Sequence, residues 1–312
     1  RAGVGYLHTG MEKTGETLTY LQGGTNVTRM DYASPLFSEL AFSLATEELL
    51  GVEIPPRATW VRMLMCELNR ISSNLLFMAT NGISDTALRA ISLACYHHAQ
   101  NNPNAVMRGR PLDEAMYDAS RWIIEPHFHL YDCCQENDGA AAVIVVPAEQ
   151  AKDFRTTPAY LLACGQGGDH RSAAPVHNMP DYPGSHFKAL APRMYDMAKL
   201  SPAEIDIVQC YENFTGGVLM SLVEHGLVKA EEANEVLTPE NLKAPGGKMP
   251  LNTSGGNLAE CYMHGLELVI EAVRQIRGTA INQSVKRDTA IVIGGPMVTP
   301  VSSLILGSEA SL

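Results

Sequence analysis

The stretch Glu204-Ile-Asp-Ile-Val-Gln-Cys-Tyr-Glu-Asn-Phe-Thr215 decides the fold class, because it joins a short apolar run to the start of a helical pattern. The run at residues 205–210 is short enough for a strand that is buried on both faces. A helix is expected from residue 215 to 225, and another from 265 to 277. Four similar apolar runs are found at residues 140–146, 160–163, 289–293 and 301–306. Strands that alternate with helices predict a layered α/β domain after about residue 125.

The N-terminal part of the chain has a different pattern. Residues 1–35 contain several glycine breakers and are expected to form loops. Apolar residues recur every three or four positions over 36–50 and 58–80, which predicts two helices that pack mainly on each other. The pattern changes near residues 82–84, and we place a domain boundary there.

The region that follows this boundary is expected to be largely irregular. Ser84 and Asp85 favour the start of a third helix that runs to about Ala99. Residues 101–125 carry Pro and Arg without a clear period, with a short helix expected from Asp113.

Composition excludes several classes of protein. The chain has 312 residues, 46% of them hydrophobic, with 23 Lys and Arg against 34 Asp and Glu and a net charge of −11. This acidic balance argues against nucleic-acid binding, and no apolar run is long enough for a transmembrane segment. Seven cysteines without a CxxC pair fit a reducing cytoplasm better than a disulfide framework. No HExxH-type pair is present, and we predict no metal site.

Four motifs in the larger part of the chain occur in a fixed order. They are Leu130-Tyr-Asp-Cys-Cys-Gln-Glu-Asn-Asp-Gly-Ala-Ala-Ala142, the stretch from Glu204 to Thr215, Asn252-Thr-Ser-Gly-Gly-Asn-Leu-Ala-Glu-Cys-Tyr-Met-His-Gly265 and Ile293-Gly-Gly-Pro-Met297. Together they resemble the thiolase superfamily, in particular its lipid-transfer-protein branch of thiolase-like steroid side-chain aldolases and acetyl-CoA acetyltransferase-like proteins. The resemblance covers residues 84–312.

This resemblance implies an incomplete thiolase-like fold of the α/β class, with a mixed sheet layered between helices and a helical segment before it. Residues 84–139 correspond to the family's loop region, and residues 140–312 mainly to its C-terminal half. The nucleophilic cysteine of the family belongs to the first half, which is not recognisable in residues 1–83. We therefore interpret the chain as two fragments joined near residue 84.

The resemblance also implies which residues carry the chemistry. Tyr211 stands where thiolases have the asparagine of their Asn-Glu-Ala-Phe motif, and Tyr262 replaces the histidine of their Gly-His-Pro motif. Val292 stands where a second catalytic cysteine is expected. A tyrosine with a shifted pKa can remove a proton from a substrate hydroxyl. These substitutions favour retro-aldol cleavage of a β-hydroxyacyl-CoA, as in the steroid side-chain aldolases.

Acidic residues stand beside both tyrosines in the sequence. Glu212 follows Tyr211, and Glu260 lies two residues before Tyr262. A nearby carboxylate would raise the pKa of a tyrosine instead of lowering it, so neither glutamate is expected to activate a tyrosine as a base. His264 is interpreted as a loop or helix-start histidine.

An enolate formed by such a cleavage needs fixed hydrogen-bond donors. The backbone N–H groups of Gly294 and Gly295 are suited to this, since no Cβ blocks close approach, and Asn257 is a further oxyanion or substrate-binding candidate. The resemblance implies a coenzyme A thioester as substrate, with no cofactor bound by the chain. It also implies a homodimer and a partner protein with an OB-fold and a zinc ribbon.

The first 83 residues resemble a different family. The motifs are Gly5-Tyr-Leu-His-Thr-Gly-Met-Glu-Lys13, Thr28-Arg-Met-Asp-Tyr-Ala-Ser34, Leu49-Leu-Gly-Val-Glu-Ile-Pro55 and Met65-Cys-Glu-Leu-Asn-Arg-Ile-Ser72. They are similar to the 49-kDa subunit of NADH:quinone oxidoreductase, complex I. The resemblance implies that Tyr32 contacts quinone, whereas the residues alone are equally compatible with an aromatic side chain that packs under a loop.

Three function classes therefore remain open at this point. The first is a thiolase-like acyl-CoA lyase that uses tyrosines, and the second is a noncatalytic relative that binds lipid or acyl-CoA. The third is a quinone-binding fragment of the 49-kDa complex I subunit. Tyr211 and Tyr262 discriminate the first two classes, since only the lyase requires their hydroxyl groups.

Overall fold

The structure is a computed structural model that describes residues 11–27, 35–168, 184–295 and 301–312. The chain divides into two compact units, Arg1–Phe77 with Asp169–Gly184, and Met78–Gly168 with Ser185–Leu312. The domain boundary near residues 82–84 stays a prediction. Among the described helices, none has both the length and the apolar character that crossing a lipid bilayer requires.

Helices make up the described part of the first unit. They are α1 Met11–Gly15, α2 Tyr20–Val27, α3 Pro35–Leu50 and α4 Pro56–Asn81, the last of which continues beyond the unit. The two long helices predicted at 36–50 and 58–80 are confirmed. The expectation of loops over residues 1–35 is wrong where α1 and α2 form. Gly23 lies inside α2 at a point where a Cβ would overlap the ring of Phe42 on α3.

The expected packing of α3 and α4 on each other is wrong for the first half of α4. Arg62 of α4 pairs with Glu47 of α3, with Nη1 2.8 Å from Oε2. On the apolar face, however, Val61 and Leu64 are 51% and 59% exposed, and burial begins only near Ile71. Periodicity predicted the helix correctly, but periodicity does not tell which turns of a helix are covered.

The second unit contains the remaining helices and all the described strands. Its elements are α5 Asp85–Asn101, α6 Glu114–Asp118, β1 Trp122–Ile124, β2 Phe128–His129, β3 Tyr160–Gly167, α7 Phe187–Ala198, β4 Ile207–Cys210, α8 Thr215–Glu224, α9 Ala233–Val236, α10 Pro239–Leu242, α11 Gly256–Ala259, α12 Leu266–Arg277, β5 Thr289–Gly294 and β6 Val301–Gly307. The region 84–139, assigned as a loop region, thus contains two helices and a small antiparallel pair. The short helix expected from Asp113 is confirmed: Asp113 caps α6 by accepting the N–H of Met116 at 2.7 Å.

A four-stranded mixed sheet has the order β3-β6-β5-β4. Strands β4 and β5 are parallel, while β6 runs antiparallel to both β5 and β3. The predicted mixed sheet is confirmed, because the apolar runs at 205–210, 289–293 and 301–306 fall on its buried strands. Since β4 and β5 are parallel, their carboxyl ends lie at the same edge of the sheet.

Helices cover both faces of this sheet. Leu268, Ala272 and Ile276 of α12 pack on one face, against a core that includes Ile207 and Val292. Successive strand residues point to opposite faces. Gly165 of β3, which pairs in register with Ser303, faces the other way, towards Leu190 and Met194 of α7. The arrangement is the layered helix–sheet–helix architecture that the sequence predicted.

The run at residues 140–146 is the exception, and its assignment as a strand is wrong. It forms no regular secondary structure, and Ile144 and Val145 are 86% and 79% exposed. A strand requires a neighbour that pairs with its backbone N–H and C=O groups. No described strand pairs with this run, so its apolar composition alone does not make it part of the sheet.

Candidate active site

The parallel strand pair places Tyr211 at the edge of the sheet. Tyr211 directly follows β4, and its backbone N–H donates to the carbonyl of Ile293 on β5 over 2.9 Å. Gly294, the last residue of β5, comes directly after Ile293. One backbone hydrogen bond thus brings the predicted catalytic tyrosine next to the predicted oxyanion glycine.

A loop that begins at Asn252 is attached to the same strand end. The side-chain amide of Asn252 bonds to both backbone groups of Cys210, with Oδ1 2.7 Å from its nitrogen and Nδ2 2.8 Å from its oxygen. Burial lowers the pKa of His98 to about 3, so its ring is neutral. Nε2 of His98 accepts from Ala244 N–H at 2.9 Å, and Nδ1 lies 3.2 Å from the carbonyl of Asn252. This loop therefore has a fixed position relative to β4.

Tyr262 reaches Tyr211 from the segment between α11 and α12. The two hydroxyl groups are hydrogen-bonded to each other, and the ring centroids lie 5.9 Å apart. The backbone N–H of Tyr262 donates to Oδ1 of Asn137 at 2.7 Å. The exposed His264 places its ring centroid 4.8 Å from that of Tyr262. Two residues that are 51 positions apart in the sequence thus form one polar pair.

The two predicted oxyanion glycines lie at the end of β5. Gly294 and Gly295 are partly buried, and Gly295 has a φ of 72°, which favours glycine. Gly294 and His264 also line an open cavity of about 650 Å³, whose other walls include Leu266, Val269 and Leu304. The cavity offers an apolar surface beside the polar pair.

Asn257, the third predicted binding residue, lies behind the tyrosines and is fully buried. Its Oδ1 accepts the N–H of Glu212 at 3.2 Å, and its Nδ2 donates to Oε1 of Glu267. Its own backbone N–H donates to Oε1 of Glu212 at 2.8 Å. The structure therefore gives the Asn257 amide internal partners on both sides, which suits positioning better than direct contact with substrate.

Buried carboxyl groups surround the pair. Desolvation by burial raises the pKa of Glu212 well above its ordinary value, and it also raises the pKa values of Glu260 and Glu267. A raised pKa makes each carboxyl group harder to ionise, and a carboxylate beside a tyrosine would itself raise the pKa of that tyrosine. This is consistent with the expectation that Glu212 and Glu260 do not activate a tyrosine as a base.

The neighbouring thiols are poorly suited to nucleophilic attack. Burial raises the pKa of Cys261 to about 12, and the pKa of the fully buried Cys210 is raised as well. The thiolate is the nucleophilic form of cysteine, so a raised pKa lowers reactivity. Val292, at the position of the family's second cysteine, is buried in the core against α12. The described residues include no group of three or more His, Cys, Asp or Glu side chains that could hold a metal ion.

Two residues at the site were missed in the sequence. Glu267 accepts backbone N–H groups of the Tyr262 segment, and Asn137 holds Tyr262 itself. A glutamate in the first turn of a helix that reaches back to preceding N–H groups is a known capping signal, and Glu267 stands in that position in α12. Asn137 offers no comparable signal. Tyr32, the quinone-binding candidate, lies outside the described residues.

The arrangement is suited to proton transfer without a covalent intermediate. One tyrosine hydroxyl can donate to the oxygen of the other, and a hydrogen bond to an ionised oxygen favours the ionised form. The structure thus places two hydrogen-bonded hydroxyl groups at one edge of the sheet, beside glycine backbone groups.

Comparison with known proteins identifies the family of this chain. Residues 165–308 match the family described as thiolase C-terminal domain-like. The 17-hydroxy-3-oxo-4-pregnene-20-carboxyl-CoA lyase of Mycobacterium tuberculosis is 36% identical over 233 residues, which cover 74% of this chain and 60% of the lyase. The solved structure of an Ltp2-ChsH2(DUF35) aldolase is 30% identical with a TM-score of 0.69, over 85% of this chain and 67% of that chain.

A shorter part of the chain is similar to a respiratory protein. An NADH-quinone oxidoreductase subunit of Mycobacteroides abscessus is 56% identical over 95 residues, which are 30% of this chain but 22% of that protein. The chain also spans only about 60% of the length of the lyase. The thiolase-like relationship is the more extensive of the two, and the predicted α/β class agrees with it. The chain therefore belongs to the thiolase superfamily, in the lipid-transfer-protein branch that its tyrosine-bearing motifs indicated.

Proposed function

We propose that the chain cleaves a carbon–carbon bond of a β-hydroxyacyl-CoA thioester by a retro-aldol reaction that uses Tyr211 and Tyr262. The hydrogen bond between the two tyrosine hydroxyl groups is the observation that carries this proposal. The pair occupies the edge where β4 and β5 end, next to Gly294. The names of a CoA lyase and an aldolase among the relatives support the same reaction class.

The proposed reaction balances without any co-reactant. One tyrosine, as the tyrosinate, removes the proton of the β-hydroxyl group, and that oxygen forms a C=O bond with the β-carbon. The bond between the α- and β-carbons breaks, and its electron pair forms a thioester enolate. The other tyrosine delivers a proton to the α-carbon. The products are a ketone and a shorter acyl-CoA.

Stabilisation of the enolate is assigned to the end of β5. Its oxygen carries the negative charge that develops as the bond breaks, and fixed N–H donors are most effective at such a point. Gly294 and Gly295 allow close approach because neither has a Cβ. The left-handed φ of Gly295 supports this assignment, since other residues adopt that conformation less readily.

The substrate class follows from the chemistry of the relative. The M. tuberculosis lyase is named for 17-hydroxy-3-oxo-4-pregnene-20-carboxyl-CoA. In that compound the hydroxyl-bearing carbon 17 is β to the thioester carbonyl, as retro-aldol cleavage requires. We propose a steroid-type CoA thioester for this chain. The apolar walls of the cavity beside His264 support a large apolar acyl group.

The test is to incubate the full chain with this thioester and to identify the products by mass spectrometry. We expect the 17-ketone and propionyl-CoA. Iodoacetamide should not slow turnover, measured in a Cys164→Ser variant because the exposed Cys164 lines the cavity. Tight binding without cleavage would instead indicate a noncatalytic acyl-CoA-binding relative. Inactivation through a cysteine that substrate protects would indicate covalent thiolase chemistry.

We also propose two protein partners. The thiolase-like branch, as the sequence resemblance implies, forms homodimers and binds a partner with an OB-fold and a zinc ribbon. One relative of known structure is an Ltp2-ChsH2(DUF35) aldolase, which supports a partner protein. Light scattering of the chain alone should give the mass of a dimer, and addition of such a partner should raise it. The mass of a monomer that does not change when the partner is added would contradict both proposals.

A further inference from the structure

We propose that Glu267 is a positioning residue, which holds the Tyr262 segment at the distance that proton transfer with Tyr211 requires; this inference rests on the proposed function. Glu267 lies in the first turn of α12 and is 3% exposed. Its carboxyl group bonds to backbone N–H groups and to the side chain of Asn257. Its effect is exerted through the backbone that carries Tyr262.

The Glu267 carboxylate receives three hydrogen bonds. Oε2 accepts the N–H of Met263 at 3.1 Å, and Oε1 accepts the N–H of Gly265 at 3.2 Å. The third donor is Nδ2 of Asn257, also to Oε1. All three partners are donors, so each oxygen acts as an acceptor. The residues on both sides of His264 are thereby tied to the start of one helix.

The tied segment has a backbone conformation that needs support. His264 has a φ of 54° and Gly265 a φ of 89°, both in the left-handed region. A residue other than glycine is strained in this region and stays there only where its surroundings hold it. The hydrogen bonds from the backbone N–H groups of Met263 and Gly265 to Glu267 hold the turn in this conformation. Without these hydrogen bonds, the turn would hold Tyr262 less firmly beside Tyr211.

A second connection reaches the other tyrosine. Asn257 joins Glu267 to Glu212, because Glu212 N–H donates to its Oδ1 at 3.2 Å and its own N–H donates to Oε1 of Glu212 at 2.8 Å. Glu212 is the residue after Tyr211. The route Tyr211–Glu212–Asn257–Glu267–Met263–Tyr262 is continuous through covalent and hydrogen bonds. We call this route, which links the two tyrosines, the bracket.

The bracket matters because proton transfer depends steeply on geometry. A displacement of about 1 Å caused by a change away from the reacting atoms can slow catalysis about 100-fold. Glu267→Gln keeps the shape of the side chain but replaces one acceptor oxygen with an NH2 group. That group would face either the N–H of Met263 or the two donors to Oε1, from Gly265 and Asn257, and at least one hydrogen bond would be lost.

The experiment compares Glu267→Gln with Glu271→Gln in the full chain. Glu271 is one turn further along α12 and is also buried, but it accepts from Thr253 and Gln275 and not from the Tyr262 segment. We expect Glu267→Gln to lower kcat about 10- to 100-fold, with KM within about threefold. Glu271→Gln should keep the wild-type kcat. Glu267→Gln in a Tyr262→Phe background should cause little further loss.

A second measurement does not depend on activity. Hydrogen exchange of peptides that cover residues 260–266 should accelerate in Glu267→Gln and not in Glu271→Gln, since only the first change removes the acceptor of the Met263 N–H or of the Gly265 N–H. If Glu267→Gln does not fold, Glu267→Asp serves, because its shorter side chain keeps the charge but loses reach.

The outcomes separate this inference from the proposed function. If Tyr262→Phe loses activity while Glu267→Gln keeps wild-type kcat, the positioning role is overturned and the reaction stands. If the wild-type chain cleaves no β-hydroxyacyl-CoA, the proposed function fails. Hydrogen exchange alone then tests whether Glu267 holds the Tyr262 segment. Unchanged exchange at residues 260–266 would then overturn the positioning role, and faster exchange would support it.

Discussion

Replacing either Tyr211 or Tyr262 by phenylalanine is expected to lower kcat/KM for thioester cleavage about 10²- to 10⁴-fold, the usual contribution of one acid–base group. Phenylalanine keeps the ring but removes the hydroxyl that joins the two residues. The Kd for the CoA ester, measured by calorimetry, should stay within about threefold, because the hydroxyls are needed for the reaction and not for ground-state binding.

The matched control is Tyr195→Phe. Tyr195 lies on α7 in the same unit, is 8% exposed, and has a buried hydroxyl with no hydrogen-bond partner among the described residues. Its removal should leave kcat/KM unchanged. The double variant Tyr211→Phe with Tyr262→Phe should be about as slow as the slower single variant, since the pair acts as a unit. Near wild-type turnover in either single variant would rule out the proposed acid–base pair.

Gly256→Ala is expected to cause the largest loss of stability, about 3–5 kcal/mol in the free energy of unfolding. Gly256 has a φ of 57°, and a Cβ there would overlap Oε1 of Glu212. Glu212 cannot easily move aside, because the same oxygen accepts the N–H of Asn257 and the residue is fully buried. Urea or thermal unfolding followed by circular dichroism would measure the loss.

Gly109→Ala separates the clash from the backbone strain. Gly109 has a φ of 81° in the same unit, but no described atom lies within 4 Å of the position that a Cβ would take. This variant should lose only about 1–2 kcal/mol, the cost of a left-handed alanine. Equal losses in the two variants would show that the Glu212 contact does not determine the effect at Gly256.

The strands of the sheet could be predicted because their sequence carries one signal. The runs at 205–210, 289–293 and 301–306 are apolar over a length that suits a strand, and all lie in the sheet. The run at 140–146 has the same signal and forms no strand, because pairing depends on a second segment that no local pattern reveals. Helix α2 was missed for the opposite reason. Gly23 looks like a breaker, yet it is the residue that lets Phe42 approach.

Sequence predicted two of the side chains that lie together at the candidate site, but not the hydrogen bonds that position them. Tyr211 and Tyr262 were found by their positions in family motifs, and the structure brings them together. The bracket around them was not found, because Glu267 binds backbone N–H groups, which every residue except proline has. The side-chain amide of Asn257 has internal partners in the structure, and its contact with substrate stays a prediction. Sequence thus predicted the two tyrosines that the structure places together, whereas their spacing depends on backbone hydrogen bonds that leave no pattern in the sequence.

The exposed run at residues 140–146 also bears on how the chain behaves at high concentration. Its seven residues include no charge and no proline, and the last four are β-branched, a composition found in segments that stack into cross-β fibrils. Asp138 precedes the run, and Pro147 with Glu149 follows it. Charges and prolines in such flanking positions act as gatekeepers, which oppose edge-to-edge stacking. Because Ile144 and Val145 are exposed to water, we expect these three residues to oppose amyloid-like growth from this run.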